Sequence, residues 1–298
     1  MRATVFLALL INGAVWGGVY ALVAMGLNLI YGVMKILNIA HGEMVMLGAY
    51  FAFWLFTLWK LSPLVSAVLI LPVMFLLGVL LQRLVVDPLA RGNASVEAVE
   101  RASLVAFFGV LLILQNMALS LWGTDYRIVS YLSTPIRFLD LAISANRLVI
   151  LAISLAVPFA LHVFLRRSLT GKAIRAVSQD REVALFMGID ARRMGLVAFG
   201  IGSALAGMGG VLVSMMYLFT PVVGLAFTLK AFTVMVLGGL GSPLGALVAG
   251  LAIGVAESLV GFLFGEGYRD VIGYLLLVLF VLFLYFMPGV RWRREITA

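Results

Sequence analysis

Asn38, His41 and Glu43 fall within six residues of one another, beside Gly32 and Gly42 and between two apolar runs. An imidazole next to a carboxylate invites a metal or proton-transfer reading. His41-Gly42-Glu43 lacks the H-E-x-x-H spacing that sets two histidines on one helix face, so zinc hydrolysis is rejected. The only other histidine is His162 and there is no cysteine, which excludes disulfides, thiolate chemistry and Cys-based metal sites. No G-x-x-x-x-G-K-[ST] loop occurs. The nearest glycine-rich run, Gly238-Gly239-Leu240-Gly241-Ser242-Pro243-Leu244-Gly245, has the wrong spacing for a dinucleotide fingerprint and contains proline. Two more ionisable residues, Lys230 and Glu257, stand inside apolar runs. Their plain readings are a lysine snorkelling to a membrane surface and a glutamate near a helix end. No dense acidic relay is visible, which weighs against an ion-coupled carrier.

The rest of the chain says where these residues must sit. Of 298 residues, 64% are hydrophobic and 11% charged, and mean hydropathy is +1.16. So few charges cannot cover a soluble domain of this length, which leaves one polytopic membrane domain over 1–298. The net charge of +8 reads as basic cytoplasmic loops rather than nucleic-acid binding. Apolar runs cover about 5–30, 44–59, 64–86, 102–122, 148–165, 194–219, 225–240, 244–264 and 271–286. The first is too long for a cleaved signal's core and is read as a span. The fold class is therefore all-α, with about eight to nine transmembrane helices, some broken or re-entrant. The segment 123–146 is a mixed loop with a short interfacial piece.

Residues 166–193 hold seven of the 21 basic residues. This loop and the tail with Arg291, Arg293 and Arg294 are expected on the cytoplasmic side, four runs apart, with the C-terminus cytoplasmic. The side of the N-terminus depends on whether a short run is re-entrant. Within 166–193, Ala173, Ile174, Ala176, Val177, Val183, Ala184, Leu185 and Met187 recur at helical intervals between Gly171 and Gly188. The segment is either a solvated positive-inside loop or an amphipathic helix of about 15 residues that docks a partner. The knot around His41 is either a surface loop or a discontinuous helix lining a pathway, since lipid cannot satisfy freed backbone groups. Glycines at 200–210 and 238–254 are read first as close helix packing and second as close approach to a substrate. No internal repeat is evident.

Three motifs carry a resemblance. Leu29-Ile30-Tyr31-Gly32 with Leu37-Asn38-Ile39-Ala40-His41-Gly42-Glu43, Gly171-Lys172-Ala173-Ile174-Arg175-Ala176 with Ala184-Leu185-Phe186-Met187-Gly188-Ile189-Asp190, and Gly238 to Ala246 resemble, in order and spacing, the LivH-type permeases of branched-chain amino acid ABC importers. The resemblance implies a non-enzymatic permease that binds no cofactor of its own, ATP being bound by two cytoplasmic ATPase subunits. It also implies a second permease (paralogue or identical copy), an extracytoplasmic substrate-binding protein, and a bacterial or archaeal inner membrane. Gly171, Lys172, Arg175, Ala176, Arg181, Ala184, Gly188 and Asp190 would couple to the ATPase. Asn38, His41, Gly42 and Glu43 would line or hold the pathway. Gly238, Gly239, Gly241 and Gly245 would pack closely. Relatives move urea, amides or other amino acids, so the cargo stays open, and an ion-coupled carrier or a channel remains the competing class.

Overall fold

The architecture comes from a computed structural model that describes residues 2–90, 95–138 and 141–286; the arginines of the C-terminal tail lie outside them. The helices are α1 (Arg2–Met34), α2 (His41–Trp59), α3 (Pro63–Leu81), which runs on through a π-turn into α4 (Asp87–Leu89), α5 (Val96–Trp122), α6 (Ala145–Arg167), α7 (Leu169–Gln179), α8 (Arg181–Phe186), α9 (Ala191–Ser214), α10 (Val223–Gly238), α11 (Pro243–Phe264) and α12 (Arg269–Phe286). Among the described residues seven helices are long and apolar enough to cross a membrane, and α10 is a shorter apolar one. With α12, these account for the nine apolar runs. The mixed loop contains a hairpin, β1 (Pro135–Phe138) and β2 (Leu141–Ser144), with Pro135 opposite Ser144.

Local chemistry sets the helix starts. Ser62 before Pro63, Ser95, Ser168, Asp180, Asp190 and Ser242 before Pro243 each accept a hydrogen bond from an amide in the first turn of the helix that follows. The single amphipathic helix expected in 166–193 is instead two. Asp180 is extended (φ −154°) and its Oδ1 takes the amides of Glu182 and Val183 at 2.9 and 3.0 Å, so it ends α7 and starts α8.

α1 lies at the centre, with α9, α10, α11 and α6 packed on it. Glycines allow the close crossings. A Cβ on Gly17 would stand 2.6 Å from the Gly250 carbonyl oxygen, and one on Gly26 2.6 Å from that of Gly202. These contacts run in opposite sequence directions, so α1 is antiparallel to both α11 and α9, and α3 is antiparallel to α9.

The course is then fixed. α1 descends to the end of the molecule that carries α7 and α8 (the basic end), residues 35–40 turn back inward, α2 climbs to the opposite end, and α3 descends again. From the other side α9 climbs, residues 215–222 turn back, α10 descends and α11 climbs. The two triplets, α1–α2–α3 and α9–α10–α11, follow the same path with opposite polarity. This is the inverted-repeat plan that hydropathy did not reveal. The start of α1 comes out at the end opposite the basic one, a point the sequence left open.

Candidate translocation site and coupling surface

The first site is where the two broken segments meet. α1 stops at Met34, and Lys35 takes a left-handed backbone (φ +54°) that reverses the chain. α2 begins at His41, whose Nε2 lies 3.0 Å from the carbonyl of Val23. Val23 lies 11 residues before the end of α1, about 16 Å along its axis. α2 therefore starts deep within the bundle, and the knot is a discontinuous helix rather than a surface loop.

α10 starts at the same depth. The Gly42 amide donates to Thr228 Oγ1 at 2.8 Å, and that hydroxyl donates to the Ile39 carbonyl at 2.9 Å. A Cβ on Gly42 would lie 2.7 Å from the Gly224 carbonyl carbon, and one on Gly224 would collide with the Glu43 carboxyl. Two helix N-termini, each with the equivalent of roughly half a positive charge, thus converge on one carboxyl group. Asn38, His41 and Glu43 are all fully buried, and among the described residues both Asn38 amide atoms, His41 Nδ1 and both Glu43 oxygens have no hydrogen-bond partner. Buried polar atoms are seldom left unpaired.

Lys230 and Glu257, read from the sequence as separate residues, meet in a second cluster that is buried except at Asp270, whose side chain is 73% exposed. Glu257 is fully buried and Lys230 is 5% exposed. Lys230 Nζ pairs with Glu257 Oε1, the Tyr20 hydroxyl donates to Glu257 Oε2 at 3.0 Å, and Asp270 Oδ1 lies 3.0 Å from the ammonium. The Tyr20 and Tyr274 rings flank Nζ at 5.6 and 5.0 Å. Beside the cluster, a cavity of about 290 Å³ is lined by Trp16, Tyr20, Tyr217, Phe227 and Arg269 among others.

The glycine-rich run is a turn more than a helix crossing. Gly239 (φ +104°) and Gly241 (φ +78°) adopt backbone angles that glycine alone takes easily. A Cβ on Gly241 would meet nothing nearer than 3.9 Å, so its requirement is conformational. Gly238 and Gly245 do press together: a Cβ on Gly238 would lie 2.5 Å from the Gly245 carbonyl. Asn28 of α1 clasps this turn. Its Nδ2 donates to the carbonyls of Gly239 and Ser242 at 2.9 and 3.0 Å, and its Oδ1 accepts from the Gly241 amide.

The basic end carries the remaining candidates. Ile174, Val177 and Ala184 face inward, Gly171 is pressed against Phe164 and Leu165, and Lys172, Arg175 and Arg181 point outward with Ala176 half-buried between them. Leu185, Phe186 and Met187 are 53%, 89% and 77% exposed, an apolar knob on a surface otherwise rich in charge. Gly188 (φ +78°) turns the chain out of α8, and Asp190 caps α9. Arg192 anchors this surface to the end of the third span through Asp87, at 2.5 Å, a tie that the sequence reading missed. No group of three or more metal-ligating side chains occurs among the described residues.

Broken helices meeting at depth, an inverted plan and an apolar knob on a basic end define a polytopic membrane transport protein. The chain belongs to the family described as the permease component of branched-chain amino acid transport systems, whose model matches residues 9–284. It is 33% identical over 294 residues to the high-affinity branched-chain amino acid transport permease BraD of Pseudomonas aeruginosa, covering 93% of this chain and 94% of that protein. It is 30% identical to LivH of Escherichia coli K12 (98% and 97% covered) and to the probable LivH of Methanocaldococcus jannaschii (96% and 94%). No solved structure matches. As a permease subunit of an importer family, the chain is a transport protein and not an enzyme.

Proposed function

We propose that this chain is the permease subunit of an ATP-driven importer in the inner membrane of a bacterium or archaeon, moving branched-chain or similarly apolar amino acids into the cytoplasm. It pairs with a second permease, a paralogue or an identical copy, takes cargo from an extracytoplasmic binding protein and is driven by two ATPase subunits that bind the ATP. The basic end faces the cytoplasm, in keeping with the lysine and arginine bias, and α12 returns the C-terminus to that side. The observation that carries this reading is the exposed Leu185–Phe186–Met187 knob, braced by Asp180 and Asp190 caps in a chain that has no nucleotide loop. Such a knob, on a surface where Lys172, Arg175 and Arg181 are also exposed, suits an apolar groove with an acidic rim on a motor subunit. Transport proceeds by alternating access. The motor moves α7 and α8, the two inverted triplets rock, and the junction at Gly42 and Gly224 opens to the Lys35 side. There Asn38 and His41 offer hydrogen bonds to a polar group of the cargo, beside the Glu43 carboxyl that the paired helix N-termini already face.

Co-purification with the ATPase and ATP-dependent uptake in proteoliposomes test it. Phe186→Asp and the charge reversal Arg175→Glu with Arg181→Glu should release the ATPase and abolish uptake, while the permease stays folded. Uptake driven by an ion gradient without ATP would overturn the proposal.

A further inference from the structure

A cavity of about 710 Å³ opens at the basic end between α1, α6, α7 and the turn before α11. Its lining includes Lys35, His162, Arg166 and Arg175, together with Asn28 and Ser242, and no aspartate or glutamate. Among the described residues Lys35, Arg166 and Arg175 form no salt bridge, although Asp87, Asp190, Glu257 and Glu266 do. The first turn of α11 brings a helix N-terminus to the cavity and the last turns of α1, α6 and α7 bring C-terminal ends, so the positive character of the wall comes from its side chains. Three cations without a carboxylate partner therefore share one concavity, where an anion would relieve their mutual repulsion.

Lys35 ends α1 on a left-handed residue, as Lys60 ends α2, and lies in the cavity wall with its ammonium 5.4 Å from the Tyr31 ring centre.

The surroundings show which anion suits the place. On α6, Leu155, Phe159, His162 and Arg166 share one face at i, i+4, i+7 and i+11. Leu155 and Phe159, 36% and 67% exposed, continue the polar lining into the apolar span. On α11, Leu244 lines the cavity, and Val248, one turn further on, is 68% exposed. A basic concavity at the end of a span, with exposed apolar stripes rising from it on two helices, matches a phosphate group with acyl chains attached. We infer that this cavity binds the phosphodiester headgroup of an anionic phospholipid of the cytoplasmic leaflet, beside Arg175 on the coupling helix α7.

The full chain, purified and returned to vesicles of phosphatidylcholine with or without phosphatidylglycerol, tests the site by thermal unfolding and by native mass spectrometry of retained lipid. Phosphatidylglycerol should raise the melting temperature and stay bound to the wild type. Lys35→Gln or Arg166→Gln should each weaken retention about fivefold, while Lys35→Arg should restore it and Arg193→Gln, outside the cavity, should leave it unchanged. Melting in phosphatidylcholine alone shows that each variant is folded. Equal loss in Arg193→Gln, or no preference for phosphatidylglycerol in the wild type, would overturn the site. Inorganic phosphate reproducing the residue-dependent shift where the lipid does not would overturn the lipid as its source.

Discussion

Replacing Lys230 with methionine strands a carboxyl group that is fully buried. Breaking one side of a buried ion pair costs about 3–5 kcal/mol, whereas replacing both partners with apolar residues of similar size is often neutral. Lys230→Met and Glu257→Leu should each lower the melting temperature sharply, and the double variant should be more stable than either single one. Equal losses in all three would show that the pair is not the relevant interaction. Asn28→Asp is a subtler test. It removes the amide donors to Gly239 and Ser242 and turns a carboxylate oxygen toward two carbonyls. A loss of about 1–3 kcal/mol per unsatisfied group is expected, seen as a lower melting temperature and faster proteolysis at the turn. Stability equal to wild type would mean that the clasp contributes nothing.

At the scale of elements, the caps of the basic end should matter individually. Asp180→Ala removes the acceptor for two amides, worth about 1 kcal/mol. Hydrogen exchange should rise in residues 182–187 and leave α9 protected, and unchanged exchange would show that the cap does not hold α8. The positions of the helices were legible in the sequence because span length and apolarity are local properties. An interruption at 35–40 was legible too, since Asn38, His41 and Glu43 break a hydrophobic pattern, but its depth was not, because a surface loop fits the same residues. The split of α7 from α8 was missed because the apolar periodicity continues across Asp180, although an aspartate before Arg181-Glu182 is itself a helix-start signal. The pairing of Lys230 with Glu257 was missed for a geometric reason. The two residues are 27 apart and meet only because the Gly238–Gly245 turn folds α10 against α11. A search for opposite charges across a glycine-rich helical hairpin would have found them.

At the scale of the whole molecule, the meeting of α2 and α10 is a contact between residues more than 180 positions apart, Gly42 with Thr228, and no local pattern encodes it. The inverted course of the two triplets makes this junction the place where they must part if transport proceeds by rocking. The chain has no cysteine, so Ile39→Cys with Thr228→Cys can be introduced on a clean background. Bridging them with a short thiol-reactive cross-linker should stop uptake, and a reductant that cleaves the linker should restore it. Full transport by the cross-linked protein would show that the junction does not open.

The central place of α1 also bears on how the protein is made. This helix is made before the other described helices, and the partners of its Tyr20 and Asn28, Glu257 and the Gly239–Ser242 turn, follow by 237 and 211 or more residues. At bacterial synthesis rates the delay is about 10 to 50 s. During that wait the asparagine and the glycine stripe of α1 have neither lipid nor native helix to suit them, so the nascent chain needs a shelter, such as the flank of the insertion machinery, until the last third of the polypeptide arrives.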